Sequence, residues 1–136
     1  MTVELSTPDG MFQPVPYHHV SVATGSRFIS VAGQIARDEH ANKLAPGDLS
    51  GQLAHALRNT AKGLAGVGAG FSDVIRLRFY VTGWEPAMYA DFMAGIESVV
   101  EELAIPQPLP PLSCIGVDYL FEPDVLVEVE AEALLD

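Results

Sequence analysis

The chain has few of the residues on which several common functions depend. It holds one cysteine, Cys114, among 136 residues, which excludes an internal disulfide framework and a cysteine-based zinc site. Seven basic residues stand against eighteen acidic ones, so the formal charge is −11. Binding nucleic acid requires clustered Lys and Arg to neutralise phosphates, and the sequence has no such cluster. We therefore expect no nucleic-acid partner.

Long hydrophobic runs are also missing. No segment approaches the roughly 20 apolar residues of a membrane span, and residues 1–5 have neither the basic nor the apolar region of a signal peptide. We therefore expect a cytoplasmic protein with no membrane partner. Hydrophobic residues nonetheless make up 49% of the chain. A domain of this size has little interior, so the excess predicts apolar surface buried between subunits.

Hydrophobic periodicity predicts one α+β domain over residues 1–136, with the order β-β-α-β-α-β-β and two helices on one face of a mixed sheet. Residues 1–16 are expected to be an extended lead-in. One predicted helix is capped by Asp48, carries a stripe from Leu49 to Val67 and is stopped by Gly66, Gly68 and Gly70. The other runs from Pro86 to Leu103, with a stripe that includes Phe92, Ile96 and Val99. The first two strands are expected to pair as a hairpin around residues 23–26. The predicted strands are 17–22, 27–32, 74–81, 112–117 and 125–134.

The last predicted strand has the clearest pattern. Apolar residues from Val125 to Ala133 alternate with Glu128, Glu130 and Glu132. Because side chains alternate between the two faces of a strand, the three carboxylates share one face. Such a face is most often solvated. The alternative is that one carboxylate lines a pocket, and the sequence leaves open which of the three it is.

Five segments of the chain form a recognisable set: Ile29–Ile35, Gln52–Asn59, Gly68 with Asp73–Arg76, Pro111–Val117 and Val127–Ala133. In this order and at these spacings they resemble the RidA/YjgF family, also called the L-PSP endoribonuclease family. The resemblance runs from about Tyr17 to Ala133. It implies a chorismate-mutase-like fold and a homotrimer with a small-molecule pocket at each subunit interface. We expect no cofactor, and the four histidines are too scattered to predict a metal site.

The resemblance also implies roles for individual residues. Glu130 stands at the family's pocket glutamate, Cys114 at its pocket cysteine and Tyr17 at its N-terminal tyrosine. Ser113 belongs to the serine-cysteine motif, whose backbone helps to place the attacking water. If Glu130 opposes Leu112 and Cys114, their apolar surroundings raise its pKa and suit it to acid/base catalysis. Cys114 itself is expected to be a small buried hydrophobe rather than a nucleophile.

Two pocket positions depart from the family's pattern. Leu112 replaces the arginine that grips the substrate carboxylate, and Ala32 replaces a serine. A guanidinium holds a carboxylate through two hydrogen bonds, and leucine offers none. We therefore expect a pocket for a neutral small molecule, and hydrolase or deaminase-like chemistry on an imine, enamine or amide. The alternative is a non-catalytic trimer that binds small ligands or partner proteins.

Overall fold

A computed structural model describes residues 2–136 of the chain. Short 3-10 turns at Phe71–Asp73 and Pro86–Met88 precede β4 and α2. The helices are α1 (Leu49–Ala65), α2 (Tyr89–Glu97) and α3 (Val100–Leu103). The strands are β1 (Thr2–Ser6), β2 (Val20–Thr24), β3 (Arg27–Gln34), β4 (Val74–Thr82), β5 (Leu112–Val117) and β6 (Val127–Leu135).

The main sheet has four strands in the order β3-β6-β4-β5. β6 is antiparallel to both β3 and β4, whereas β4 and β5 are parallel. Parallel neighbours need a crossover connection, which α2 and α3 supply. Helix α1 packs on β3 and β6 and also contacts α2. The predicted mixed sheet with helices on one face is therefore confirmed.

The hairpin expected between the first two predicted strands does not form. β2 pairs with β1 in a separate two-stranded sheet, and β3 pairs with β6. Thr2–Ser6, expected to be only extended, is the strand that takes the edge of β2. The Gly25-Ser26 pair would suit a two-residue type II′ hairpin turn, but both strands that it joins find other partners. At this turn the chain therefore passes from the two-stranded sheet to the four-stranded sheet.

Helix α1 begins as the sequence predicts and ends earlier. The Asp48 Oδ1 atom accepts a hydrogen bond from the Gly51 N–H at 3.0 Å, which caps the helix. Val67 was expected to extend the buried stripe, but it lies beyond the last helical residue and is 50% exposed. Gly68 follows it with a φ of 83°, a left-handed conformation that turns the chain away. The buried stripe is Leu49, Leu53, Leu57, Thr60 and Leu64.

The segment predicted as one helix from Pro86 to Leu103 is divided. The Ser98 hydroxyl donates to the Gly95 carbonyl at 2.8 Å, a local bond that competes with helix continuation. Val99 then adopts a φ of −120°, and the chain resumes as α3. The core side of the segment is as predicted at Phe92, Ile96 and Val99, all of which are buried.

Strands β4 and β6 present one face to the helices and another away from them, which we call the open face. On β6, the apolar positions from Val127 to Ala133 are buried, and the three glutamates lie half-buried on the open face. β4 alternates in the same way from Leu77 onward. A register shift at its start buries Val74 in place of Ile75, which strict alternation would put on the same face as Leu77.

Candidate functional site

A cleft of about 600 Å³ lies between the N-terminal segment, α2 and β5. Its walls combine aromatic rings with aliphatic side chains, and no lining residue carries a charge. Its lining includes Tyr17, Trp84, Tyr89, Phe92, Leu112 and Cys114. A mostly apolar concave site of this size is typical of small-molecule binding.

The N-terminal wall of the cleft is held by backbone hydrogen bonds. The His18 N–H donates to the Leu109 carbonyl at 2.8 Å, and the Leu109 N–H donates to the Pro16 carbonyl at 2.9 Å. The His19 ring donates from Nε2 to the Phe12 carbonyl at 2.8 Å. These bonds fix residues 12–18 beside the segment that leads into β5.

The opposite wall is an aromatic row. The ring centroids of Trp84 and Phe92 lie 5.7 Å apart with an interplanar angle of 83°. Phe92 packs in turn on Phe79, with centroids 5.1 Å apart. Such edge-to-face contacts fix ring orientations. Gly116 lets Trp84 approach β5, since a Cβ at position 116 would lie 3.1 Å from the Trp84 Cβ.

Four of the residues singled out in the sequence border this cleft, namely Tyr17, Leu112, Ser113 and Cys114. The Ser113 hydroxyl points to the open face, where it accepts a hydrogen bond from Arg76 Nη2 at 2.8 Å. Cys114 is exposed, not buried as expected, because β5 is an edge strand. Partial desolvation still raises the pKa of its thiol, so it is a poor nucleophile at neutral pH.

Ala32 and Glu130 lie apart from the cleft. Ser113, Arg78 and Glu130 are register partners across β5, β4 and β6, so their side chains share the open face. Leu112 and Cys114 project from the other face. The expectation that Glu130 opposes Leu112 and Cys114 therefore fails within one chain. Glu130 instead accepts a hydrogen bond from the Tyr80 hydroxyl at 2.5 Å, a contact that raises the pKa of Tyr80.

Glu128 is the glutamate of β6 that the structure desolvates. It packs on Gly33, where a Cβ would lie 2.5 Å from the Glu128 Cδ atom. Burial raises the pKa of the Glu128 carboxyl, and the Glu130 charge raises it further. Gly33 sits at a bulge of β3 and follows Ala32, so Glu128 lies beside a predicted site residue. The alternation of apolar and acidic residues could not single out Glu128, because the bulge in β3 interrupts the two-residue repeat of the strand.

The rest of the open face is a row of paired polar side chains. Arg78 Nη1 and Glu132 Oε1 form an ion pair at 2.7 Å, which raises the pKa of the Arg78 guanidinium. Phe28 and Ile115 add exposed apolar surface to the same face, at 63% and 39% exposure. The open face therefore combines fixed charges with uncovered apolar groups.

Within residues 2–136, no three His, Cys, Asp or Glu side chains are grouped so that they could hold a metal ion. No helix in the same span has the length and apolar character to cross a membrane.

Helices packed on one face of a mixed sheet make this an α+β fold. Comparison with known proteins identifies the family within that fold class. A sequence model of the family described as Endoribonuclease L-PSP matches residues 12–135. The chain therefore belongs to the RidA/YjgF family, as its motifs predict. No curated protein matches the sequence.

Solved structures agree with this assignment. A Rid-family protein of unknown function from Yersinia pestis, YyfB, is 33% identical, with 99% of this chain and 100% of that chain covered and a TM-score of 0.87. Escherichia coli TdcF, solved with bound serine, is 23% identical over 100% and 99% of the two chains, with a TM-score of 0.68. The E. coli YjgF product is 22% identical over 96% and 92%, with a TM-score of 0.67. The predicted fold is thus confirmed.

Proposed function

We propose that this Rid-family protein hydrolyses a neutral imine, enamine or amide rather than a 2-imino acid. The observation that carries the proposal is the uncharged cleft, with Leu112 at the position where the family resemblance implies a carboxylate-binding arginine. A substrate carboxylate entering this cleft would lose its hydration without gaining a cationic partner from the walls that one chain supplies. On the open face, Arg78 is already paired with Glu132. A neutral C=N or C–N group avoids that cost.

The active assembly proposed is a homotrimer in which the open face of one subunit completes the cleft of its neighbour. Support comes from the separation of Leu112 and Cys114 from the glutamates by the thickness of the sheet. Exposed Phe28 and Ile115 on the open face also favour its burial by another copy. Sedimentation should give about three times the 14.6 kDa chain. A monomer at micromolar concentration would contradict this arrangement.

A carboxyl of β6 is the proposed acid/base. It takes a proton from water as the water oxygen bonds to the imine carbon, and it passes that proton to the nitrogen, which receives the electron pair of the broken C=N π bond. It then takes the proton of the new hydroxyl group and gives it to the nitrogen as the remaining carbon–nitrogen bond breaks and the carbonyl forms. The products of an imine are a carbonyl compound and ammonia or an amine. Glu130 is the sequence-based candidate. Glu128 is better supported, because its raised pKa brings proton exchange closer to neutral pH.

The test compares wild-type protein with variants on 2-iminopropionate generated in solution, with a RidA deaminase as reference. We expect the wild type to turn over this substrate at least roughly tenfold to 150-fold more slowly than the reference. That factor corresponds to the loss of one charge-assisted hydrogen bond, about 1.5–3 kcal/mol. Leu112→Arg should recover part of this loss. Adding Glu128→Gln should remove the gain, whereas adding Glu101→Gln, a change at an exposed residue of α3, should not.

Wild-type turnover of 2-iminopropionate equal to the reference would contradict the proposal. If Glu130→Gln rather than Glu128→Gln removes the gain, the acid/base is Glu130.

A binding protein without catalysis is the second candidate. The observation that favours it is the absence, among the described residues that line the cleft, of any carboxyl or imidazole group. Native mass spectrometry of the purified protein distinguishes the two. A co-purified molecule that stays chemically unchanged on prolonged incubation would support the binding protein.

A further inference from the structure

The size of the cleft bears on which ligand it takes. A volume of about 600 Å³ falls within the range of roughly 300–1,000 Å³ found for sites that enclose drug-sized ligands. The cleft extends from Phe12, which is 74% exposed at the rim, to Phe92, which is 3% exposed. A ligand of only three or four heavy atoms would leave most of this apolar wall in contact with water.

The walls also have a shape that suits a flat ring. Trp84 and Phe92 meet edge to face, and Tyr89 contributes a half-exposed ring from the first turn of α2. Aromatic rings prefer offset or edge-to-face partners, so a ligand ring can continue the row that runs from Phe79 through Phe92 to Trp84. A branched aliphatic group would fill the volume without these contacts.

The cleft walls that one chain supplies disfavour an anion. Leu112 and Met93 line the cleft with aliphatic surface and offer no charged group that could pair with an anionic ligand. The chain as a whole carries a formal charge of −11, which repels anions at longer range.

The outer edge of β5 supplies a neutral polar contact. The Leu77 N–H bonds the Pro111 carbonyl, and the Gly83 N–H bonds the Val117 carbonyl, so odd-numbered positions of this segment face β4. The backbone N–H and C=O of Cys114 therefore point away from β4, along the edge of the sheet and beside the cleft. One donor and one acceptor in this arrangement match an amide or another neutral nitrogen group.

We infer that the cleft selects a neutral ligand in which an aromatic ring is joined to an amide-like or imine-like group. The ring lies against Trp84 and Tyr89, and the polar group meets the backbone of Cys114. This substrate class rests on the proposed function, because it assumes that the cleft is where the ligand binds.

The test measures binding without turnover, through the fluorescence of Trp84, the single tryptophan of the chain. Phenylacetamide, phenylacetate and acetamide are the probes: the first two differ in charge, and the first and third differ by the ring. We expect phenylacetamide to bind at least about tenfold more tightly than phenylacetate, a difference of about 1.4 kcal/mol. Acetamide should not change the fluorescence at the same concentration.

Variants of the cleft should move these affinities in opposite directions. Leu112→Arg should reverse the preference in favour of phenylacetate. Val67→Arg adds the same charge at an exposed position outside the cleft and should leave the preference unchanged. Should Leu112→Arg fail to fold, Tyr89→Ala at a half-exposed ring serves instead. It should weaken phenylacetamide binding at least about tenfold.

The inference is overturned if phenylacetate binds the wild type as tightly as phenylacetamide, if acetamide binds equally well, or if phenylacetamide does not bind. These results are separable from a failure of the proposed hydrolysis. Binding of phenylacetamide by a protein that hydrolyses no imine would leave the ligand class standing and remove the reaction.

Discussion

Gln52 is a buried polar side chain whose replacement tests how β6 is held against α1. It is 1% exposed. Its Nε2 atom donates to the carbonyls of Asp124 at 3.0 Å and Ala45 at 3.3 Å, and its Oε1 atom accepts from the Leu126 N–H at 2.9 Å. One amide group thus joins α1 to the loop after Arg37 and to the start of β6. Gln52→Ala would remove all three bonds.

The size of the loss follows from those contacts. A buried backbone group left without a partner costs about 1–3 kcal/mol, but water can reach some of these groups because they are only partly buried. Together with the space left by truncation, we expect Gln52→Ala to lower the free energy of unfolding by about 2–4 kcal/mol. That is a large share of the roughly 5–15 kcal/mol available to a domain. The melting temperature should fall by roughly 10 °C.

Thermal unfolding followed by circular dichroism measures this shift. Gln34→Ala is the matched control, because the Gln34 side chain makes one exposed hydrogen bond, to the Ala32 carbonyl, that water can replace. The control should change the free energy of unfolding by less than about 0.5 kcal/mol. If Gln52→Ala melts within about 2 °C of the control, the three hydrogen bonds of the Gln52 amide do not stabilise the attachment of β6 as expected.

Two further predictions concern Glu128 and Gly95. The pKa of Glu128 is raised by burial and by Glu130, so this carboxyl destabilises the fold as pH rises through its folded pKa. Glu128→Gln should therefore raise the free energy of unfolding at neutral pH and have no effect below about pH 4, as urea titrations can show; equal effects at both pH values would contradict this. A Cβ at position 95 would lie 2.9 Å from the Ser50 carbonyl oxygen, so Gly95→Ala should cost about 1–3 kcal/mol in the same assay. Gly70→Ala, which meets open space, is its control, and equal stability of the two variants would refute the close helix crossing.

The parts of the fold that were predictable are those whose pattern is local. The alternation from Val127 to Ala133 identified the buried face of β6, and Asp48 identified the start of α1. The pairing of strands, by contrast, depends on residues that are far apart in the sequence. Nothing in the residues around Gly25 shows that β2 pairs with a strand at the N-terminus, because register depends on partners distant in sequence.

The candidate site also has residues that the sequence could group and residues that it could not place. Tyr17, Leu112, Ser113 and Cys114 were grouped from motifs, and the structure places them along one cleft. Glu130 does not oppose Leu112 and Cys114 within one chain, because alternation gives the face of a residue within its own strand but not the face of another strand that it shares. Its predicted place in a pocket between subunits stays a prediction. Glu128 could not be told apart from Glu130 and Glu132 in the sequence, because its desolvation depends on a bulge at Gly33, which no periodic pattern reveals.

The separation of Leu112 from Glu128 by the thickness of a sheet has a consequence for how such a protein can change over time. Within one chain, the residues of β5 and α2 that shape the ligand wall lie on the opposite face of the sheet from the carboxyl row of β6, and β4 lies between the two strands. Substitutions on the wall can therefore accumulate without changing the carboxyls' surroundings in their own subunit. A lineage built on this fold can alter its ligand wall while the packing of the β6 carboxyls in each subunit stays as it is.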